Sequence, residues 1–436
     1  MPVKHFFSSR CTYALLRVAI AVGAMSALGV TGCGGGMAAV SNLPAGSIAQ
    51  PPLPANLTPT TAPNPESYPP VIRQRHVLTA DYLGGYGGTY AFPWSVEAPY
   101  VSWAKASNPI DSDGQRAVGI KTYIYTNPND PYPGSPMYTN DESTFAHTCG
   151  GSRIYSQSYG LQHYLMDPHS ANLVQLWKDS VPDHAHYDTI FEDETNTLYG
   201  MNGTPCNYNP TEWLQAHINE TTAFGYPVIY NGAAQTNTIG MNQAPNVGGG
   251  MAEQCYATGN SAGRITDSFW QTMENIEIQM AQQGKLFFCL SDNYGDAASS
   301  QDARIYDIAS FLLTYDPATS ILMEFFGTPS KFHVEPETQL VALYPVVSTP
   351  SDVSSLKTAS GAYGREYNAC YLAGSFVGRC AVAINPSSFN SYSFPFGSRY
   401  SRTLVLAGGG VLDGGSVATN GPPPGQLAPL SSVVAF

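Results

Sequence analysis

From residue 76 to about residue 345 the chain alternates short β-rich runs with helical stretches, and no other feature limits its fold as strongly. The strand candidates are residues 76–82, 118–125, 163–166, 187–193, 226–231, 249–256, 286–291 and 320–326. Eight such strands with helices between them, over about 250 residues, predict a (β/α)8 TIM barrel. The helices are punctuated: Asn209-Pro210 supplies a cap and a first-turn proline, and Gly225 stops that helix before the next strand. Trp213, Leu214 and Ile218 give it an apolar side. A second helix opens near Thr266-Asp267 and repeats apolar residues at Phe269, Trp270, Met273, Ile276 and Met280, the spacing of one face packed on a sheet. A third, over 302–313, buries Ile305, Ile308 and Leu312. Beyond about residue 345 the helical period disappears. Short β-rich runs at 369–371, 380–384, 403–407 and 432–436, separated by Gly, Pro, Ser and Asn, predict an antiparallel β-sandwich over 346–436 after a barrel over 73–345.

What precedes the barrel reads as an export and tethering device. Residues 1–32 carry Lys4, Arg10 and Arg17 and no acid, and an apolar run over 18–30 is too short to span a membrane. This is the layout of a secretory signal peptide. Val30-Thr31-Gly32-Cys33 resembles the bacterial lipobox, whose cysteine is lipidated and becomes the mature N-terminus; a cleavable signal with an incidental cysteine is the alternative. Residues 33–72 are rich in Pro and nearly uncharged, an extended tether without a core. The expected location is the bacterial cell envelope, lipid-anchored, with Gly34 after the cysteine favouring the outer membrane. Six further cysteines in an exported chain suggest disulfides. Cys370 and Cys380, ten residues apart in two strand-like runs, are the best pair; the partners of Cys149, Cys206, Cys255 and Cys289 stay open. No CxxC or Cys/His spacing predicts zinc, and no cofactor is called for.

Composition narrows the partner. Charged residues make up 12% of the chain, against about 25% in an average globular protein. The 19 Lys and Arg face 32 Asp and Glu, a net charge of −13, which argues against nucleic acid and leaves a lipid anchor as the only tie to a membrane. An uncharged, hydroxyl-rich ligand suits such a surface.

In a TIM barrel the chemistry sits where the strands end. The 187–194 segment ends in the triplet Glu192-Asp193-Glu194, the Gly248-Gly249-Gly250 run leads to Glu253, and Leu290-Ser291 leads to Asp292. Two acids from different strands are what glycosidic cleavage needs, one protonating the leaving oxygen and one acting as nucleophile or base. Strand alternation puts Thr189, Phe191 and Asp193 on one side, so Asp193 rather than Glu192 is expected to face the barrel interior. Asp193 and Glu253, on strands expected to be neighbours, are the candidate catalytic pair. Asp81, Tyr125, Asn231, Asp292 and Glu324 are the candidates for holding the substrate.

Asp188-Thr-Ile-Phe-Glu-Asp193 resembles the D-G-[VI]-F-x-D strand of hypothetical glycosyl hydrolase family fifteen, which is unrelated to the glucoamylases. Tyr226-Pro-Val-Ile-Tyr-Asn-Gly232 resembles that family's next strand, and Gly250-Met-Ala-Glu253 the one bearing its second acid. Arg365-Glu-Tyr367, Val382-Ala-Ile-Asn-Pro386 and Pro429-Leu-Ser-Ser-Val-Val434 are similar to its C-terminal β domain. The resemblance spans roughly residues 76–436 and implies polysaccharide hydrolysis with Asp193 as nucleophile or base and Glu253 as proton donor. Thr189, where glycine is usual, and Glu192, where an apolar residue is usual, depart from the pattern.

Two rival readings stand beside it. Gly259-Asn-Ser-Ala-Gly263 matches the G-x-S-x-G elbow of serine hydrolases, and Ser261, Asp292 and His333 follow in the order an esterase would need. The next helix, however, starts only near Thr266, whereas an elbow serine sits at the strand–helix turn. A surface lipoprotein that binds glycan without cutting it would keep the barrel and lack a working acid pair. His163, His169, His184 and His186 show no metal spacing, Asp111-Ser-Asp-Gly114 lacks the closing acid of a calcium loop, and Gly84-Gly-Tyr-Gly-Gly88 fails the dinucleotide pattern at Tyr90. Trp94 and Trp103 are expected to pack rather than to stack on sugars.

Overall fold

The computed structural model describes residues 79–81, 101–106, 108–158, 160–195, 198, 200–235, 238–253, 255–258, 263–290, 301–324, 336–407 and 414–436. The signal peptide, Cys33, the tether, the Gly84–Gly88 run, Trp94, Ser261, Asp292 and His333 lie outside these residues. Through the barrel the strands are β1 Thr79–Asp81, β2 Trp103–Lys105, β3 Lys121–Thr126, β4 Tyr155–Ser158, β5 Leu161–Tyr164, β6 Thr189–Glu192, β7 Val228–Asn231, β8 Val247–Glu253, β9 Ala257–Thr258, β10 Gly263–Arg264, β11 Leu286–Leu290 and β12 Ser320–Glu324. Eight of them close into a barrel in the order β1-β12-β11-β8-β7-β6-β3-β2, every pair parallel. The helices between them are α1 Pro109–Ala117, α2 Leu173–Ser180, α3 Pro210–Phe224, α4 Asp267–Gln282 and α5 Gln301–Thr314.

One strand assignment changes. The run at 163–166 is not a barrel strand: β5 pairs antiparallel with β4 in a hairpin inside the long excursion from β3 to α2. The eighth strand is Trp103–Lys105, three residues too short to show any periodicity.

Alternation along the strands sorts the side chains. Trp103, Tyr123, Phe191, Ile229, Met251, Phe288, Ile321 and Met323 fill the lumen. Their neighbours Ile190, Val228, Tyr230, Phe287 and Leu322 face the helices. The glycine run of β8 is a close-approach device: a side chain at Gly249 would meet the Leu286 carbonyl, and one at Gly250 the Tyr230 ring. In α3, Asn209 accepts hydrogen bonds from the Thr211 and Glu212 N–H groups, and Gly225 closes the helix at φ 82°. In α4, Trp270, Met273, Ile276 and Met280 are buried, whereas Phe269 is exposed.

The C-terminal sheet begins earlier than residue 346. Its edge strand β13 is Leu340–Pro345, followed by β14 Tyr363–Leu372, β15 Ser375–Asn385, β16 Tyr392–Ser393, β17 Thr403–Ala407, β18 Ser416–Asn420, β19 Gln426–Leu427 and β20 Ser431–Ala435. Six strands form one antiparallel sheet, β13-β14-β15-β20-β17-β18, and β16 with β19 makes a two-stranded second layer, packed through Phe394 and Leu427 on Ala362 and Ala383. The other face of the large sheet lies on α5. Disulfides join Cys149 to Cys206, Cys255 to Cys289, and Cys370 to Cys380.

Candidate active site

The described lumen is filled mainly by apolar side chains, and the acids of β6 and β8 lie where those strands end. There β6, β7 and β8 run side by side and deliver Asp193, Asn231 and Glu253. The two acids are therefore not on neighbouring strands; β7 separates them, and Asn231 at its end connects them. The Asn231 Nδ2 group donates to Asp193 Oδ1 at 2.7 Å and to Glu253 Oε2 at 3.0 Å. Those two bonds hold the acceptor oxygens no more than about 5.7 Å apart, near the about 5–5.5 Å of a retaining pair and short of the roughly 6.5 Å where inverting pairs begin.

The two carboxyls sit in different surroundings. Asp193 is buried and accepts from the Tyr125 hydroxyl as well as from Asn231. Burial raises its pKa, the two donors pull it back down, and Asp130 nearby raises it again. Glu253 opens to solvent at the mouth; the protein packed around its carboxyl and the charge of Asp193 raise its pKa, opposed by a single donor, Asn231. More donors stabilise the charged form, so Asp193 is the group better fitted to be a carboxylate and Glu253 the one better fitted to carry a proton. Tyr125 is itself fixed, lying against Phe191 with ring centroids 6.0 Å apart and with Lys105 Nζ 4.8 Å from its ring.

Glu192 points the other way. It is fully buried against the helix layer, within 3.4 Å of Asn129 Nδ2 and of the Thr221 hydroxyl, and burial with Glu220 beside it pushes its pKa up to about 8. Of the other strand-end candidates, Asp81 and Glu324 are register partners at the ends of β1 and β12. Asp292 lies outside the described residues. Sequence reasoning missed Asn129, whose Nδ2 donates to the Asp193 carbonyl at 2.6 Å, and Asp130, whose charge acts on Asp193. Both follow β3 in a loop with no periodic signal.

The esterase constellation cannot be followed in full, because its three residues lie outside the described part. The segments flanking Ser261 are nevertheless described: β9 and β10 pair antiparallel, Gly263 with Thr258. Helix α4 begins only at Asp267, after β10.

No family model matches the chain, and no curated protein matches its sequence. Solved structures to which it is similar include the glycoside hydrolase domain of PelA from Pseudomonas aeruginosa, at 10% identity over 57% of this chain and 94% of that one, with a TM-score of 0.42. An α-amylase from Lactobacillus plantarum is similar at 10% identity over 83% of this chain and 99% of that one, TM-score 0.42. A maltogenic α-amylase, AmyB, from Thermotoga neapolitana is similar at 9% identity over 84% and 100%, TM-score 0.41. Identities this low leave the reading of the cleft to its own side chains.

Proposed function

We propose that this protein is a glycoside hydrolase that cuts O-glycosidic bonds in a polysaccharide with retention of configuration. The observation that carries the proposal is the Asn231 amide, which binds both carboxyls at once. Asp193, charged and held by its donors, attacks the anomeric carbon while Glu253 gives its proton to the departing glycosidic oxygen. The glycosyl–aspartate ester that results is cleaved when Glu253, now a carboxylate, takes a proton from water and the resulting hydroxide oxygen displaces Asp193. The family resemblance runs through the same two strands. No metal or organic cofactor enters this scheme.

The same proposal puts the enzyme at the bacterial cell envelope, lipid-anchored through Cys33 and held off the membrane by residues 34–72. Three disulfides among the described residues support an oxidising compartment.

The test is a screen of the purified domain against amylose, chitosan and pectate, which span neutral, cationic and anionic polymers. Asp193→Asn and Glu253→Gln should each lower cleavage by about 10²–10⁴-fold and leave thermal unfolding nearly unchanged. Cleavage that survives both substitutions would overturn the assignment. Binding of a polymer by wild-type protein with no cleavage would favour the glycan-binding reading instead.

A further inference from the structure

Of the two acids, Glu253 depends more on its backbone for its place. Asp193 accepts from Tyr125 and Asn231, whereas Glu253 accepts from Asn231. Glu253 is also the last residue of β8, where the ladder that fixes a strand runs out. The pairing with β11 is regular up to that point, with Ala252 opposite Cys289 and Glu253 opposite Leu290. An extended strand rises about 3.3 Å per residue, which would put Cys255 about 10 Å beyond Cys289. Instead the two Cα atoms are 5.3 Å apart and the two sulfurs are bonded, and the Cys255 N–H donates to the Leu290 carbonyl at 2.8 Å. The chain therefore turns back directly after the acid and is tied covalently to the neighbouring strand.

The tie lies behind the acid. Ala252, Cys255 and Cys289 belong to the core on the helix side, while Met251, Phe288 and Leu290 fill the lumen. Alternation from Met251 puts Glu253 on the lumen side, with the disulfide on the opposite side of the strand. Both cysteines are fully buried. A disulfide stabilises chiefly by restricting the unfolded chain, to a degree set by the length of the loop that it closes. A link at any level of β8 and β11 would close nearly the same loop. Stability accounts for a disulfide between these strands, but not for its position directly after the acid.

We propose that the Cys255–Cys289 disulfide is a positioning device for Glu253, fixing the end of β8 so that the carboxyl stands at the glycosidic oxygen that it protonates. The proposal rests on the two-carboxylate reading of the same cleft. The sulfurs take no part in the reaction. Without the link, Glu253 keeps its place only through the ladder below it and the Asn231 amide, and a displacement of about 1 Å in such a group costs about 10²-fold in rate.

The experiment compares the double variant Cys255→Ala with Cys289→Ala against wild type, on the phenyl and dinitrophenyl glycosides of the sugar that the wild-type protein releases from amylose, chitosan or pectate. Dinitrophenoxide departs without a proton, whereas phenoxide needs one from the general acid. The phenyl glycoside should lose about 10²-fold in kcat/KM, and the dinitrophenyl glycoside should stay within about threefold of wild type. A merely structural role would lower both alike. Cys370→Ala with Cys380→Ala, which removes a disulfide from the C-terminal sheet, should lower Tm and move neither value. Equal losses on the two glycosides, or none, overturn the proposal. If the alanine pair does not fold, Cys255→Val with Cys289→Ala keeps more of the buried volume, and failure of both to fold would make the link a folding element and overturn its positioning role. Glu253→Gln, assayed alongside, separates the two failures: without a contrast between its two glycosides the acid assignment is wrong, and with that contrast there but absent from the cysteine variant the inference alone falls. If none of the polymers is cut, carbon NMR of glutamate labelled at Cδ reads the clamp directly. Burial and the charge of Asp193 raise the Glu253 pKa, so the loosened carboxyl should titrate closer to the ordinary glutamate value, and an unmoved titration would overturn the proposal.

Discussion

The chemistry of the cleft turns on which hydrogen bonds reach which carboxyl. Asn231 has two amide hydrogens and gives one to each acid, while Tyr125 adds a second donor to Asp193 alone. Because that donor lowers the Asp193 pKa, Tyr125→Phe should raise it. The acid limb of the kcat/KM profile, which reports the free enzyme's essential carboxylate, should move to higher pH, and kcat/KM at neutral pH should fall by about 10-fold. An unmoved acid limb would mean that Tyr125 does not tune Asp193. Much of this was legible in the sequence: period-two alternation put Asp193 on the side of Phe191, and the glycine run pointed to Glu253. The left-handed backbone of Glu194 was not, because nothing in a glutamate signals one. Nor was the bridging role of Asn231, since the interposition of β7 depends on which strands pair.

At the level of elements, pairing rather than propensity decided the one misplaced strand. The 163–166 run has strand-forming residues and does form a strand, but antiparallel to β4 outside the barrel. The true eighth strand is fixed by register between β1 and β3, with Trp103 opposite Ala80 and Lys121. The helix layer also holds carboxyls that periodicity does not anticipate. Glu192 beneath α3 and Glu277 on α4 are fully buried, and burial pushes them up to about 8 and about 7. A carboxyl protonated in the folded chain and ionised in the unfolded one favours folding fully below its ordinary pKa, and that contribution is lost as pH rises through the folded value. His217 works in the opposite sense, because burial lowers it from 6.5 to about 4, but its effect is confined to pH below 6.5. Between pH 6.5 and 9, Tm should therefore fall steadily, and Glu192→Gln should flatten the decline and be the more stable protein at pH 9. Parallel curves for the two proteins would show that Glu192 is not held neutral.

Over the whole molecule, the C-terminal sheet completes the barrel. Helix α5 is buried on nearly all sides because the barrel covers one face and the large sheet the other. Its last carbonyls are met from that sheet: Arg365 donates to Leu313 and Tyr315 at 3.2 Å, and Tyr367 donates to Leu312, satisfying acceptors that a helix end leaves open. Buried Arg304 on α5 pairs with Glu337 just before β13, Nε to Oε1 at 2.6 Å. The switch from helical to β-rich sequence was visible near residue 345, but the boundary fell a strand late because Leu340–Pro345 reads equally well as the end of the barrel. Outside the folded part, Cys33→Ala should abolish lipid labelling and block normal maturation, and unchanged mobility and membrane association in that variant would remove the anchor. The central claim is that Asn231 holds Asp193 and Glu253 close enough for direct attack by Asp193. Proton NMR of the first sugar released from the cleaved polysaccharide, recorded before mutarotation, tests it most directly. Retention of the anomeric configuration is the result this geometry predicts, and inversion would contradict it.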